Sequence, residues 1–410
     1  MAEVPVIQIL DKKNYFKQAL VPLPYALPLP PLKESSLRIR TEVLCLTSNN
    51  FTYCKLGDLL HWWDVHPIPP STPAPYNDAS TYGRINCWGY AKVIESTFES
   101  VQKGSYVWGY LPIGTLPLDF QVKAGNVPGQ IIVTEPYRQQ QLPLYNRYLI
   151  FPETLSKEID AKADAIAYDA LARVMHLTGY VMTNFMFPED PAQSVNLNPE
   201  QADLTDTTII NFAPGSKVGL SFTYLLRNQR KTAKPRRILG AASEYSRAFV
   251  QTTGLYDEVV ATSADPLDVL SRLSTPKDKK VVIYDFGGRG GVAWKWAAAI
   301  KTAYPHVQFV VVGAEVSDPG VGADGPPPPQ RPDGVDVAQV MADSLQNAAI
   351  KKVGEREYFE GLNASWEGLR KEGFKGFKVK WGEGMEAVKE GWDRFARNEV
   401  QADEGLVFKL

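Results

Sequence analysis

Cysteine is nearly absent. Cys45, Cys54 and Cys87 are the only three in 410 residues, too few and too scattered for a disulfide framework, and their spacing fits no zinc knuckle or ribbon. They read as reduced, packed thiols. Histidine is equally scarce: His61, His66, His176 and His306 are dispersed along the chain, so each reads as a surface or packed residue, and no metal is expected. Neither sign of charge dominates, the net charge being −2, which gives no reason to expect nucleic acid or an acidic membrane surface as partner. No apolar run approaches the length of a bilayer span, and the opening MAEVPVIQIL lacks a basic region followed by an apolar core. A cytoplasmic location is the expectation. Catalytic signatures are missing too: there is no G-x-S-x-G elbow, no H-E-x-x-H and no G-x-x-x-x-G-K-[ST]. The run Asp285-Phe-Gly-Gly stands without the other elements a kinase requires.

What the chain does have is length enough for two lobes, each able to bury a core. Up to about residue 150, short strand-like pieces at Ser36–Leu46, Cys87–Ser96, Ser105–Tyr110 and Asp119–Lys123 are broken by Pro and Gly, a pattern that predicts an antiparallel β lobe. From Lys157 to Met186, apolar residues recur at helical spacing and predict one or two helices. Strand patterns then follow at Thr208–Phe212, Arg237–Ala242, Glu258–Ala261, Lys280–Asp285 and Gln308–Val312, several separated by helical segments, which predicts an α/β domain with a parallel sheet covered on both faces. Gly320–Gly334, with its run of prolines, reads as an exposed loop. Near the end, Met385, Val388, Trp392 and Phe395 share one helical face, and Gly405–Leu410 reads as a last strand.

The most informative stretch is Thr207–Gly219, TTIINFAPGSKVG, running on into LSFTYLL. A β-branched strand, a turn of small residues and an apolar helix form a dinucleotide-binding crossover, because the turn brings backbone N–H groups to a pyrophosphate and the helix points its positive end at the same anion. The three glycines usual in such a loop are here Ala213, Ser216 and Gly219, and Lys217 follows the middle one. An ordinary strand-to-helix turn without cofactor is the alternative for this loop taken alone.

The order of β lobe, long helix, parallel sheet and closing strand resembles the medium-chain dehydrogenase/reductase superfamily, in particular its zinc-free quinone-oxidoreductase-like members. LTSNNFTYCKLGD (46–58), GRINCWGYAKVIES (83–96), KGSYVWGY (103–110) and TGLYDEVV (253–260) are similar to local stretches of that family. The chain also resembles a divergent branch to which no function is assigned. The resemblance implies a GroES-like β lobe at 1–157 completed by 351–410, and a doubly wound Rossmann-type nucleotide domain at 158–350. Zinc-dependent relatives carry Gly-His-Glu where this chain has Arg84, Ile85 and Asn86, so the resemblance implies no zinc.

Hydride transfer needs a cofactor held against an acceptor carbon, a dry pocket and a proton donor. Asn49, Asn50 and Tyr53 lie in the segment that resembles the cleft wall, with Tyr53 as donor and an Asn orienting substrate; a turn-closing Asn pair and a packed Tyr are the alternative. For the cofactor, Ser216, Lys217, Val218 and Gly219 are expected at the pyrophosphate. Phe286 and Gly287 follow the fourth strand, where the resemblance passes the loop near the cofactor, and Gly313 follows the fifth. At the end of the second strand, Ser243 and, one turn on, Arg247 suit a 2′-phosphate, so NADP(H) is favoured over NAD, although Glu244 blunts the preference and Arg247 also reads as a solvated helix residue. For a hydrophobic substrate, His61, Trp62 and Trp63 are candidate pocket walls or a satellite core, with Tyr148, Arg173, Thr178 and Tyr180 as further candidates. The expected activity is reduction of an enone, quinone or carbonyl with NADPH; a non-redox isomerase or lyase and a binding protein without turnover remain open, and a homodimer is an assembly the resemblance allows.

Overall fold

The computed structural model describes residues 4–313 and 331–410; most of the loop expected at Gly320–Gly334 lies outside them. Its second half is organised by a six-stranded parallel sheet in the order Glu258–Ala261, Arg237–Ala242, Thr208–Phe212, Val281–Asp285, Val307–Val311, Asp336–Gln339. Thr208–Phe212 is flanked in parallel by Arg237–Ala242 on one side and Val281–Asp285 on the other, so the strand order reverses at this first strand. A reversal of this kind opens a crevice at the carboxyl ends of the strands. Alternate residues feed different cores: Ile209 joins one apolar cluster, while Ile210 and Phe212 join another on the opposite face. Two buried faces explain why these strands read as continuous apolar runs.

The first half closes on itself. Ser36–Leu46, Asn86–Ser96, Tyr106–Pro112, Arg147–Phe151, Gln130–Val133 and Leu118–Ala124 pair in that order, and the last returns to the first. This six-stranded barrel is extended by Glu404–Lys409, antiparallel to Ser36–Leu46, and then by Lys378–Glu383. A separate small sheet joins Val6–Asp11, Gln18–Pro22 and Tyr82–Gly83. The strands at Val6–Asp11, Gln18–Pro22, Gln130–Val133, Arg147–Phe151, Asp336–Gln339 and Lys378–Glu383 have no counterpart in the sequence reading. Several of them are short or only half-buried, which weakens the alternation that marks a strand. The tail helix forms at Gly384–Ala396, with Met385, Val388 and Trp392 buried, and Trp392 Nε1 donates to Tyr15 O at 3.0 Å.

Between barrel and sheet runs the helix Asp164–Val181, preceded by Ser156–Asp160 and continued by a π-turn at Met182–Met186. It is apolar nearly all round because it is covered on most sides. Asp169 and His176, both fully buried on this helix, are the polar exceptions, and Asp169 is the one that gathers charged partners. Its Oδ2 accepts from Tyr90 of the barrel (2.6 Å) and from Arg370 Nε (2.9 Å), and its Oδ1 accepts from Trp366 Nε1 (2.7 Å) and Arg173 (3.2 Å). Trp366 and Arg370 belong to the helix Glu355–Glu372, so one carboxylate ties three separate parts of the chain together. Removing it leaves the buried Trp366 Nε1 and Tyr90 hydroxyl without their acceptor and takes from Arg370 and Arg173 a carboxylate partner. Asp169→Ala is therefore expected to cost about 3–5 kcal/mol of unfolding free energy, read from the urea midpoint; a loss under about 1 kcal/mol contradicts the role given to this residue.

Candidate functional site

The loop Ala213–Ser216 lies at the carboxyl end of the central strand and turns directly into the helix Lys217–Tyr224. Ala213 sits at φ 50°, the left-handed region that glycine enters freely and alanine only with strain. Ser216 caps the helix, its Oγ accepting from Gly219 N at 3.1 Å. Gly219 is needed for close packing: a Cβ there would come within 3.2 Å of the Phe286 ring and 3.3 Å of Ala213 O. Lys217 is the anomaly. No acidic residue stands in the first turn, and Lys217 has no ion pair or hydrogen bond among the described residues. Its Nζ lies 5.4 Å from the Phe377 ring centroid, burial lowers its pKa, and Cys45 on the barrel strand Ser36–Leu46 acts on it electrostatically. A cation at a helix N-terminus opposes the helix dipole. The arrangement therefore stores positive charge where a bound anion would relieve it.

Neighbouring loops leave the same end of the sheet. Asp285 Oδ1 accepts from Gly287 N (3.0 Å) and Gly288 N (2.6 Å), which shapes the turn after Val281–Asp285. Phe286 is buried against Phe222 and Tyr284, and a Cβ on Gly313 would run into Phe286 O at 2.6 Å. At the end of Arg237–Ala242, Ser243 is exposed before the helix Glu244–Thr253. Arg247 pairs there with Glu244 at 3.0 Å, both side chains well exposed.

On the barrel side the candidates separate. Asn50 is a capping residue: its Oδ1 accepts from Thr47 N (2.8 Å) and its Nδ2 donates to Asn86 O (2.8 Å). Asn49 donates to the Tyr53 hydroxyl (2.6 Å), which also accepts from Trp88 Nε1 (2.9 Å). Tyr53 is 2% exposed, and burial raises its pKa well beyond the ordinary phenol range; it is a donor, not a base, at neutral pH. Its ring meets Trp62 at 4.7 Å, Tyr110 at 5.1 Å and Tyr145 at 6.0 Å. Trp88 stacks on Trp108 at 4.9 Å, and the Arg173 guanidinium lies 5.4 Å from the Trp108 ring. An aromatic row thus runs from Trp62 to Arg173.

The remaining candidates lie elsewhere. Trp63 packs under Gly57 and Gly83, where a Cβ would collide with its ring. His61 is partly exposed and pairs with Asp64 at 3.0 Å. Tyr148 is inside the barrel, donating to Tyr110 O and packing on Phe120 at 5.4 Å. Tyr180 meets Tyr358 and Phe185 farther along the interdomain helix, and Thr178 is half-buried nearby. Asp169, Trp88, Trp108 and Tyr110 were not anticipated. Their signal was present as Trp88-Gly89-Tyr90 and Trp108-Gly109-Tyr110, which pair in antiparallel register with Gly89 opposite Gly109. Cβ atoms on those glycines would strike Val43 O and the Tyr148 ring, so small residues on one face permit large rings on the other.

Among the described residues no three His, Cys, Asp or Glu side chains gather as a metal site, and no helix is long and apolar enough to cross a membrane. All three cysteines are buried.

Reversed strand order and closed barrel together give a fold shared with solved enoyl and quinone reductases. A mutant enoyl thioester reductase from Candida tropicalis superposes with a TM-score of 0.57 at 12% identity, covering 100% of both chains. CurA from Vibrio vulnificus, solved in complex with NADPH, gives 0.56 at 12% identity over 98% of each, and a putative NADPH:quinone reductase from Bacillus thuringiensis gives 0.54 at 13% over 100% of each. The chain belongs to the family described as "Protein of unknown function (DUF2855)", which matches residues 44–401. No curated protein matches it.

His176, beside the aromatic row, is buried with Nε2 2.9 Å from Ser365 Oγ, and burial lowers its pKa to about 3. The unfolded chain takes up this proton below about pH 6.5 while the native protein does not. Stability contributed above pH 6.5 is therefore lost progressively as pH falls toward 3, by about 1.4 kcal/mol per unit. His176→Asn should flatten the change in urea stability between pH 6 and 5 by one proton's worth; an unchanged slope means that His176 titrates in the folded state.

Proposed function

We propose that this protein is a zinc-independent, NADPH-dependent reductase of an enone, quinone or carbonyl group in a small hydrophobic compound. The observation that carries this reading is Lys217: a half-buried, unpaired cation at the start of the helix that follows the central strand. Anions are the groups that such a helix end and such a cation attract. Ser216, Lys217, Val218 and Gly219 would hold the pyrophosphate, Ser243 and Arg247 the 2′-phosphate, and Phe286, Gly287 and Gly313 would flank the nicotinamide end. NADPH, when bound, supplies the hydride. The solved structures of similar fold whose names include NADPH add support for this cofactor. In this reading residues 1–157 with 351–410 form the substrate lobe and 158–350 the nucleotide domain.

The proton comes from the barrel side. The Tyr53 hydroxyl accepts from Asn49 and Trp88 and keeps its own proton for a substrate oxygen; Asn49 and Trp88 hold it in place. Asn50 acts through the turn that carries Asn49, and the aromatic row excludes water from a ring-bearing substrate.

One feature favours a second reading, a binding protein or non-redox enzyme. Ser216 already satisfies the Gly219 N–H, Pro214 lacks an N–H altogether, and Arg247 is engaged by Glu244, so the loop offers fewer donors than a glycine-rich one.

Fluorescence titration with NADPH and NADH separates the two. Saturable NADPH binding is expected, with Lys217→Ala weakening both cofactors and Arg247→Ala weakening NADPH selectively, each by about tenfold to a hundredfold. Absence of saturable binding to either nucleotide overturns the reductase reading. Given binding and turnover, Tyr53→Phe should lower kcat by about 10²–10⁴-fold while leaving NADPH affinity unchanged; full activity in that variant assigns the proton to another group.

A further inference from the structure

Arg84 stands just before the barrel strand Asn86–Ser96 and is only 5% exposed. Among the described residues it has no hydrogen-bond or salt-bridge partner. Its Nε is sealed from solvent and unsatisfied. No carboxylate acts on it; the one group that favours its charge is the Tyr137 phenol, and burial lowers its pKa to about 10. Every other deeply buried guanidinium here is satisfied. Arg38 binds Asp119 and Glu95, Arg138 donates to Asn146, Tyr148 and Tyr145 O, and Arg230 donates to three carbonyls.

The surroundings share the deficit. His66, 1% exposed, has both ring nitrogens buried and short of a well-formed hydrogen bond, the Tyr110 backbone being the one group that favours its charge; burial and the charges of Arg138 and Arg84 hold it neutral. Two residues along the chain, Asn86 is fully buried with both amide atoms unsatisfied. Tyr137, which acts electrostatically on Arg84, is 37% exposed. A fork of guanidinium donors beside an imidazole N–H, with no acidic group acting on either, is a donor set that lacks its acceptor. A bare buried guanidinium is costly to fold around, and an acceptor from outside would offset that cost.

We propose that Arg84 and His66 form an oxyanion-binding site in the β lobe, opening past Tyr137, that takes the carboxylate or phosphate group of a small molecule. It needs no nucleotide and is separate from the Lys217 loop. The guanidinium donates two parallel hydrogen bonds to the oxyanion and the His66 imidazole donates a further one.

Calorimetric titration of the full chain with sodium phosphate and with sodium benzoate, at constant ionic strength, tests this and distinguishes the two sources of the oxyanion. Saturable binding of at least one is expected, weakened tenfold or more in Arg84→Met, reduced in His66→Phe and retained in Lys217→Ala. With no anion present, Arg84→Met should also raise the thermal midpoint, since an unpaired buried charge is removed. Should Arg84→Met fail to fold, Arg84→Lys, which keeps charge but loses the fork, is expected to fold and bind more weakly. The proposal is overturned if the native protein binds neither anion, if binding survives Arg84→Met unchanged, or if it is lost in Lys217→Ala alone, which would place the anion at the nucleotide loop. NADPH affinity measured in Arg84→Met keeps the two sites apart: it should be unaltered.

Discussion

A buried carboxylate must be paired, and Asp169 is paired with donors from three segments that lie far apart in the chain. Tyr90 comes from the barrel, Arg173 from its own helix, Trp366 and Arg370 from the helix before the tail. The neighbouring carbonyls are enlisted as well: Trp108 Nε1 donates to Asp169 O and Cys45 Sγ to Ala170 O, both at 3.0 Å. Directional bonds at this density hold the barrel against the interdomain helix in one orientation, which apolar contact alone would specify far less sharply. Everything proposed for the site presupposes that orientation, because the candidate proton donor belongs to the barrel lobe and the candidate nucleotide loop to the parallel sheet.

The aromatic row shows a related economy. Trp88 and Trp108 stack because their strands pair with glycine opposite glycine, and the glycines are required because Tyr148 and the backbone of the neighbouring strand fill the other face. Barrel core and cleft wall are two faces of the same two strands. Tyr53 gains its environment from this row, so its burial and its protonated state follow from barrel packing.

Positive charge is handled in two ways. Arg38, Arg138 and Arg230 are fully engaged within the protein, whereas Lys217 and Arg84 are buried without acidic partners. The first group reads as architecture. The second lies at the start of the helix after the central strand and just before a barrel strand, in positions where an anion from outside would complete the electrostatics.

Much of the fold was legible in the sequence, since its cause is local. Short apolar runs bounded by turns located Thr208–Phe212, Arg237–Ala242 and Glu258–Ala261, and helical spacing located the interdomain helix, because side-chain period follows directly from backbone geometry. Ala213, Ser216 and Gly219 identified the turn into the helix for the same reason. The half-buried strands such as Lys378–Glu383 escaped because their pattern is made by partners distant in sequence. The site was legible only as a set of residue types. Whether Asn50 orients a substrate or caps a turn, whether Trp62 and Trp63 share a wall or part company, and whether Arg84 has a counter-ion depend on which side chains arrive from elsewhere. Those are properties of tertiary packing, decided by long-range pairing that composition and periodicity do not encode.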